Sequence, residues 1–283
     1  MSDVQFAAIE TPSAGALTIE YRWLNRDREN APLLVFLHEG LGSVAMWKDW
    51  PQQVCDAGGY RGLVFSRPGY GRSTPRPAHG KWPVDFMHRQ AREVVPAFLD
   101  AVGVAHDEAH PVWLVGHSDG GSIALLFAAA FPDRLTGAVV LAPHLFVEDV
   151  SVESIAKTKT VYETTDLRAK LARYHDDVDS AFWGWNDIWL NPEFRHWNIV
   201  GAVASIGVPL LAAQGENDEY GTMAQMDAIA DHVPHAQIVK LPDCGHSPHR
   251  DAPEALNAAI VAFIGPAGQS DQSENSLPAQ SVA

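Results

Sequence analysis

The stretch that decides the fold is Val112–Phe131, VWLVGHSDGGSIALLFAAAF. It begins with an apolar run that is typical of a strand covered on both faces. The chain then passes through glycines around Ser118 and continues as an alanine-rich segment, Ser122–Phe131, which has the composition of a helix. A strand that becomes a helix within a few residues predicts a tight corner with one serine at its tip.

Short runs rich in valine and leucine recur on both sides of this corner. We predict strands at Leu33–His38, Gly62–Arg67, Val112–His117, Gly137–Pro143, Pro209–Gly215 and Ala236–Pro242. Longer helix-like stretches, such as Val84–Val102, separate them. This alternation implies right-handed crossovers between parallel strands. The predicted fold class is therefore α/β with a mostly parallel sheet flanked by helices.

The interval 146–206 breaks the alternation, because it offers helical patterns and many aromatic residues but no convincing strand. Its tryptophans are Trp183, Trp185, Trp189 and Trp197. We predict a helical cap at 146–206, between core segments 1–145 and 207–265. The tryptophans either pack this cap or also line a pocket above the sheet. The small, polar, proline-containing residues 266–283 predict a disordered tail.

Composition excludes several classes of function. The 20 Lys and Arg against 35 Asp and Glu give a net charge of −15, which argues against nucleic-acid binding. No apolar run reaches the roughly 20 residues of a membrane helix, and the first ten residues do not have the pattern of a secretory signal. Two cysteines do not form a disulfide framework. We expect a cytoplasmic protein that acts without a membrane or nucleic-acid partner.

The corner itself, Gly116–Gly120, matches the pattern G-x-S-x-G in the strand-to-helix context that this motif requires. Such a turn lifts the serine hydroxyl clear of the backbone, and the helix amino terminus behind it favours negative charge. Ser118 is therefore a candidate nucleophile for attack on a carbonyl. The alternative is a serine that only caps the helix.

A candidate base and a candidate acid follow the last two predicted strands. His246, beside Gly245, comes after the last strand, and Asp218 follows the strand before it. We interpret Glu216 and Glu219, which flank Asp218, as solvated loop charges. The chain order Ser118, Asp218, His246 is that of the α/β-hydrolase triad, in which the acid orients the imidazole that activates the serine.

With these residues in place, the chain resembles capped α/β-hydrolases of the serine esterase type from Leu33 to Ile264. FLHEGLGS (36–43) resembles the oxyanion loop of that family, SRPGYGRS (66–73) its Arg-Gly-x-Gly-x-Ser loop, and GHSPHRDAPEAL (245–256) the stretch from its catalytic histidine into the final helix. The resemblance implies an eight-stranded sheet with a cap inserted after the sixth strand.

The resemblance also implies an oxyanion hole made of the backbone N–H groups of Gly40 and Asp119. Glu39 departs from the pattern, since the family usually has glycine there, so the N–H of Leu41 is an alternative donor. No cofactor is implied. No metal is expected either, because His246 and His249 lack a clear third ligand and the residues after His38 do not form H-E-x-x-H.

The chemistry implied is hydrolysis of a carboxylic ester of a small to medium substrate through an acyl-enzyme intermediate. A serine at the elbow excludes the alkyl-enzyme chemistry of relatives with aspartate there. Relatives that hydrolyse carbon–carbon bonds in meta-cleavage products usually carry Asn before the serine and Trp after the histidine, where this chain has His117 and Ser247. Carbon–carbon hydrolysis, a non-enzymatic ligand receptor and cofactor-free peracid chemistry stay as alternatives.

Two carboxylates near the nucleophile bear on the substrate. Ser-Asp-Gly-Gly at the elbow is similar to biphenyl-hydrolase-like (valacyclovir-hydrolase-like) esterases, whose equivalent aspartate recognises an amino group. Asp119 and Glu39 are therefore candidate contacts for a cationic substrate, although an aspartate in a first helical turn also interacts favourably with the helix dipole. Trp183, Trp185 and Trp189 are candidate substrate contacts in the cap. The expected partner is a small-molecule ester, and the protein is expected to be a monomer or a homodimer.

Overall fold

The computed structural model describes residues 4–77, 80–107 and 109–267. Within these ranges the strands form one eight-stranded sheet in the order β1-β2-β4-β3-β5-β6-β7-β8. The strands are β1 Gln5–Thr11, β2 Gly15–Leu24, β3 Leu33–Leu37, β4 Arg61–Phe65, β5 Val112–His117, β6 Gly137–Leu141, β7 Leu210–Gly215 and β8 Gln237–Leu241. β1, β2 and β4 pair antiparallel, and every pair from β4 to β8 is parallel.

The helices connect the parallel strands and cover both faces of the sheet. They are α1 Trp50–Gly58, α2 Phe86–Arg89, α3 Val95–Ala101, α4 Asp119–Ala130, α5 Asp149–Thr164, α6 Leu167–Leu171, α7 Val178–Trp189, α8 Val200–Val203, α9 Ala224–His232, α10 Pro248–Asp251 and α11 Pro253–Ile264. A π-helical segment, Gln90–Val94, joins α2 to α3, and 3-10 turns lie at Pro132–Arg134 and Pro192–His196. No helix in the described ranges is long and apolar enough to span a membrane.

The α/β prediction is confirmed, including the eight-stranded, mostly parallel sheet. The six strands predicted from apolar runs are present, with bounds that differ by up to two residues. Two differences concern helices. Val84–Val102 is two short α-helices around a π-helical segment, and the helix predicted at Ser122–Phe131 begins three residues earlier, at Asp119.

The two faces of the sheet bury separate apolar clusters, because side chains alternate along each central strand. Val35 of β3 and Leu114 of β5 belong to the cluster that also contains α3, α4 and the tryptophans of α7. Phe36 and Val115 point to the opposite face, where α1 and α11 pack. Both faces of the central strands are therefore covered, which explains their continuous apolar sequence.

Between β6 and β7 the chain is helical, with α5 to α8 and one 3-10 turn, apart from a single bridge between Phe146 and Asn198. A helical insertion after the sixth strand is thus part of the observed fold. The division into core segments 1–145 and 207–265 around a cap at 146–206 stays a prediction. Residues 268–283 of the predicted tail lie outside the described residues.

The corner between β5 and α4 is as tight as its glycines suggest. A methyl group at Gly116 would lie 2.2 Å from the carbonyl oxygen of Gly120, and one at Gly120 would lie 2.1 Å from the carbonyl oxygen of Leu37. Both obstacles are backbone atoms, which cannot turn aside as a side chain can. Glycine at these two positions is therefore what allows β3, β5 and α4 to meet.

We predict that Gly116→Ala lowers the free energy of unfolding by at least about 1–3 kcal/mol, because its methyl group must displace backbone at the corner. The matched control is Gly201→Ala in α8, where an added methyl group meets nothing within 4 Å. That control should be neutral or stabilising by up to about 1 kcal/mol through helix propensity. Urea unfolding of the three proteins measures the effect, and equal midpoints for both variants would contradict the steric account.

Candidate active site

Ser118 lies at the tip of the corner, with 6% of its surface exposed. Its φ of 53° and ψ of −119° place a non-glycine residue in a strained region, which typically costs about 1–3 kcal/mol. Its N–H donates to the carbonyl oxygen of Leu141 at 2.8 Å, so β6 fixes the corner from one side. The Ser118 hydroxyl makes no capping hydrogen bond to the first turn of α4. The strain therefore serves no helix cap, which favours a role for the hydroxyl itself.

Asp218 and His246 are in direct contact. Nδ1 of His246 lies 2.9 Å and 3.0 Å from the two carboxylate oxygens of Asp218. The N–H groups of Tyr220 and Gly221 also donate to Asp218, at 2.8 Å and 3.2 Å. A carboxylate only accepts, so Nδ1 carries the proton and Nε2 is left free to act as a base.

The environment keeps Asp218 ionised. Burial alone would raise its pKa, but the hydrogen bonds from His246 and from the Tyr220 N–H hold the pKa of Asp218 below its usual value. The side chain of Asp218 is 1% exposed and that of His246 is 12% exposed. The Asp218 carboxylate is thus almost fully buried, whereas the His246 imidazole is partly accessible to solvent.

One interpretation from the sequence needs correction. Glu219 is exposed, as expected for a loop charge, but it is not only solvated, because its carboxylate accepts the backbone N–H of His246 at 3.1 Å. The sequence does not show this contact, because it depends on the close approach of the loops after β7 and β8. Glu216 is exposed, as predicted.

The predicted oxyanion donors lie in two loops that meet at the corner. Among the described residues, the backbone N–H groups of Gly40, Leu41 and Asp119 have no intramolecular acceptor, whereas that of Gly42 donates to the Glu39 carbonyl at 3.1 Å. Gly40 and Leu41 both stay candidates for the first donor, with Asp119 as the second. A methyl group at Gly40 would lie 2.1 Å from the Trp185 indole, so glycine is needed there for α7 to reach the loop.

The carboxylate of Asp119 is 1% exposed and already has protein partners. The Trp189 indole N–H donates to one oxygen at 3.1 Å, and a guanidinium nitrogen of Arg67 lies 3.7 Å from the other. Burial raises the pKa of Asp119, while the charge of Arg67 and the Trp189 hydrogen bond lower it. Recognition of a substrate amine by Asp119 stays a prediction.

The three tryptophans predicted to contact substrate lie in different surroundings. Trp185 packs on Gly40, and Trp189 lies on Asp119 with its ring 4.8 Å from that of His144. Trp183 instead packs within the cap, 5.6 Å from the ring of Tyr162. Trp185 and Trp189 thus adjoin the loops that carry Gly40 and Asp119, whereas the ring contacts of Trp183 are with Tyr162 and Phe182. Contact of any of these side chains with substrate stays a prediction.

Buried histidines join the loops of the site, and sequence analysis did not assign them a role. His38 donates from Nδ1 to the Glu39 carbonyl at 2.7 Å and accepts the Arg67 N–H at Nε2 at 2.9 Å. His175, from the cap, accepts the Gly71 N–H at Nδ1 and donates from Nε2 to the Leu41 carbonyl, both at 3.0 Å. Each pattern uses a neutral imidazole with one donor and one acceptor.

No cluster of three or more His, Cys, Asp or Glu side chains in the described ranges is arranged to hold a metal ion. The two cysteines, Cys55 and Cys244, are buried and free.

Comparison with known proteins agrees with the fold. The model of the alpha/beta hydrolase family matches residues 34–259. This chain belongs to that family of hydrolases. It is 24% identical over 270 residues to a Burkholderia cepacia 2-hydroxy-6-oxo-6-phenylhexa-2,4-dienoate hydrolase, covering 84% of this chain and 89% of that protein.

Two further similarities extend the comparison. The chain is 25% identical over 208 residues to the Homo sapiens serine hydrolase BPHL, covering 69% of this chain and 66% of that protein. The solved structure of a thermophilic esterase from Thermogutta terrifontis superposes with a TM-score of 0.68 at 20% identity, covering 92% of this chain and 98% of that one. At this identity the structural likeness concerns the fold.

We predict that the stability of the protein falls steeply below neutral pH because of its buried histidines. Burial lowers the pKa of His38, His144, His175 and His249, that of His144 to about 3. The unfolded chain protonates these residues near pH 6.5 while the folded chain does not, so acid favours unfolding. Each contributes up to about 1.4 kcal/mol per pH unit below that point.

Urea unfolding between pH 7.5 and 5 measures this slope. His144→Gln should make the pH dependence shallower, whereas His232→Gln, which alters an exposed histidine of α9, should leave it unchanged. Carboxylates contribute equally to all three proteins and cancel in the comparison. The same slope for wild type and His144→Gln would contradict the buried-histidine account.

Proposed function

We propose that this hydrolase cleaves a carboxylic ester of a small to medium substrate through an acyl-enzyme intermediate, with Ser118, His246 and Asp218 as its triad. The observation that carries the proposal is the contact between the buried Asp218 carboxylate and the partly exposed His246, next to a strained elbow whose serine caps no helix. The absence of a disulfide between its two buried cysteines is compatible with a cytoplasmic location, which we also propose.

Each step of the reaction uses a group of this site. Nε2 of His246 takes the proton of the Ser118 hydroxyl as Oγ attacks the acyl carbon. The carbonyl oxygen becomes an oxyanion, which accepts from the N–H of Asp119 and that of Gly40 or Leu41. One such donor is typically worth about 2.7–4 kcal/mol of transition-state stabilisation.

The tetrahedral intermediate then collapses, the alcohol leaves with the proton held by His246, and the acyl group stays on Ser118. Water attacks the acyl-enzyme with His246 again as base, and the acid departs as Ser118 regains its proton. Asp218 keeps the imidazole in the productive tautomer and stabilises its charged form throughout.

Carbon–carbon hydrolysis is the second candidate, because the similarity to the dienoate hydrolase covers most of the chain. The same triad could serve both reactions. The residues around it favour the ester: His117 precedes the nucleophile and Ser247 follows His246, where the carbon–carbon hydrolases usually have Asn and Trp. A receptor that turns over very slowly is a third possibility that the same assay separates.

We predict that a fluorophosphonate probe labels Ser118 of the wild-type protein and that Ser118→Ala loses both labelling and turnover of p-nitrophenyl esters. Asp218→Asn should fold but lower kcat by about 10⁴-fold, because the imidazole then adopts the wrong tautomer. Ser205→Ala, at an exposed serine after α8, is the control and should label and turn over as the wild type does.

Parallel assays on ester and dienoate substrates separate the candidate functions. A higher kcat/KM for esters supports the proposal, and a higher value for the dienoate assigns carbon–carbon hydrolysis instead. Labelling of Ser118 without multiple turnover of either substrate indicates a receptor. Folded wild-type protein that does not label would remove Ser118 as a nucleophile.

A further inference from the structure

The side chain before the nucleophile contacts the backbone of the candidate base. Nε2 of His117 lies 2.7 Å from the carbonyl oxygen of His246. A carbonyl oxygen only accepts, so Nε2 of His117 must carry a hydrogen. The side chain of His117 is 2% exposed, so water does not compete freely for this bond. The loop that carries His246 is thereby tied to the residue next to Ser118.

The other nitrogen of His117 faces Glu39, the residue that departs from the family pattern. Nδ1 of His117 lies 3.7 Å from one carboxylate oxygen of Glu39, and Arg250 lies 3.9 Å from the other. Glu39 folds back over its own loop, and a methyl group at Gly42 would lie 2.5 Å from its carboxylate. The side chain of Glu39 is 17% exposed, so the contact is largely shielded.

The charges around this contact favour an ionised Glu39. Burial alone would raise its pKa, but the neighbouring His117 imidazole holds the pKa of Glu39 well below its usual range. His249 packs 4.9 Å from the His117 ring, and burial and neighbouring positive charge keep the pKa of His249 low. Of the two adjoining imidazoles, His117 and His249, His117 is the one that faces the Glu39 carboxylate.

These contacts form a second carboxylate–imidazole pair directly beside the first. The rings of His117 and His246 are 5.0 Å apart, and each has a carboxylate at Nδ1, Glu39 and Asp218 respectively. We propose that Glu39 and His117 are positioning residues of the reaction, which fix the catalytic imidazole by holding the carbonyl of His246. This inference rests on the proposed triad.

The role follows from how the His246 backbone is held. The N–H of His246 donates to the exposed Glu219, whereas its carbonyl accepts from the buried His117. Of these two hydrogen bonds, the one from His117 is therefore better shielded from water. Glu39 orients the ring that makes it, and the Arg67 guanidinium holds the Glu39 carbonyl at 2.9 Å. One unit thus connects the oxyanion loop, the nucleophile corner and the histidine loop. Loss of such positioning can cost about 100-fold in rate for a displacement near 1 Å.

The test compares His117→Phe, His117→Gln and Glu39→Gln with the wild-type protein. Titration with the fluorophosphonate probe counts active sites, so that kcat and the rate of probe labelling are expressed per active site. We expect His117→Phe to lower both by roughly 10–100-fold, with KM within about twofold. His117→Gln, which keeps an N–H at a similar place, should recover most of this loss, and Glu39→Gln should show a smaller loss.

Two further comparisons separate positioning from packing. His249→Phe makes the same substitution in the adjoining ring, which has no hydrogen bond to His246, and it should leave kcat per active site unchanged. The double variant of Glu39→Gln with His117→Phe should be no slower than His117→Phe alone, because Glu39 acts through His117. Non-additivity of this kind is the signature of residues that work as one unit.

Opposite results would overturn the inference. If His117→Phe lowered only Tm or the fraction of active sites, with kcat and labelling rate per site unchanged, His117 would be a packing residue. Additive losses in the double variant would assign Glu39 a separate role. If wild-type protein labels at Ser118 but hydrolyses no ester, the proposed ester activity fails while the labelling rates still decide the positioning role. Wild-type protein that does not label overturns both.

Discussion

The strained backbone of Ser118 is the constraint around which the rest of the molecule is organised. A residue with a φ of 53° at a helix start persists only where its surroundings leave no alternative. Here β6 holds its N–H, and the carbonyls of Leu37 and Gly120 come so close that only glycine fits opposite them. The apolar clusters on both faces of the sheet hold these strands together, so burial far from the site offsets strain at the site.

The helical insertion between β6 and β7 is part of the same construction. Trp185 and Trp189 of α7 pack on Gly40 and Asp119, and His175 donates to the carbonyl of Leu41. Each of these contacts ends on a loop that carries a candidate catalytic group. The insertion therefore restrains the shape of the loop after β3, which connects its packing to the candidate site.

How far the sequence predicts this structure depends on the range of the interactions. Central strands such as β5 are continuous apolar runs, and the candidate triad was proposed from local motifs at strand ends. β1 lies at the sheet edge, where buried and exposed residues alternate, and sequence analysis does not predict it from its short apolar run, Phe6–Ile9. The partners of His117, Glu39 and Arg67 could not be predicted, because each contact joins loops that are distant in sequence. The sequence shows that Glu39 departs from the family pattern, but it does not show which groups the Glu39 carboxylate faces.

The carboxylates around Ser118 would oppose a developing negative charge at the site unless each of them had a basic partner. The chain carries a net charge of −15, yet the proposed reaction develops an oxyanion in a site that contains three carboxylates. In a medium of low effective dielectric constant, an unpaired carboxylate near the oxyanion would oppose catalysis strongly. Asp218 faces His246, Glu39 faces His117 and Arg250, and Asp119 faces Arg67. Each carboxylate thus lies against an imidazole or a guanidinium group, and the free amides of the corner are left for the proposed oxyanion.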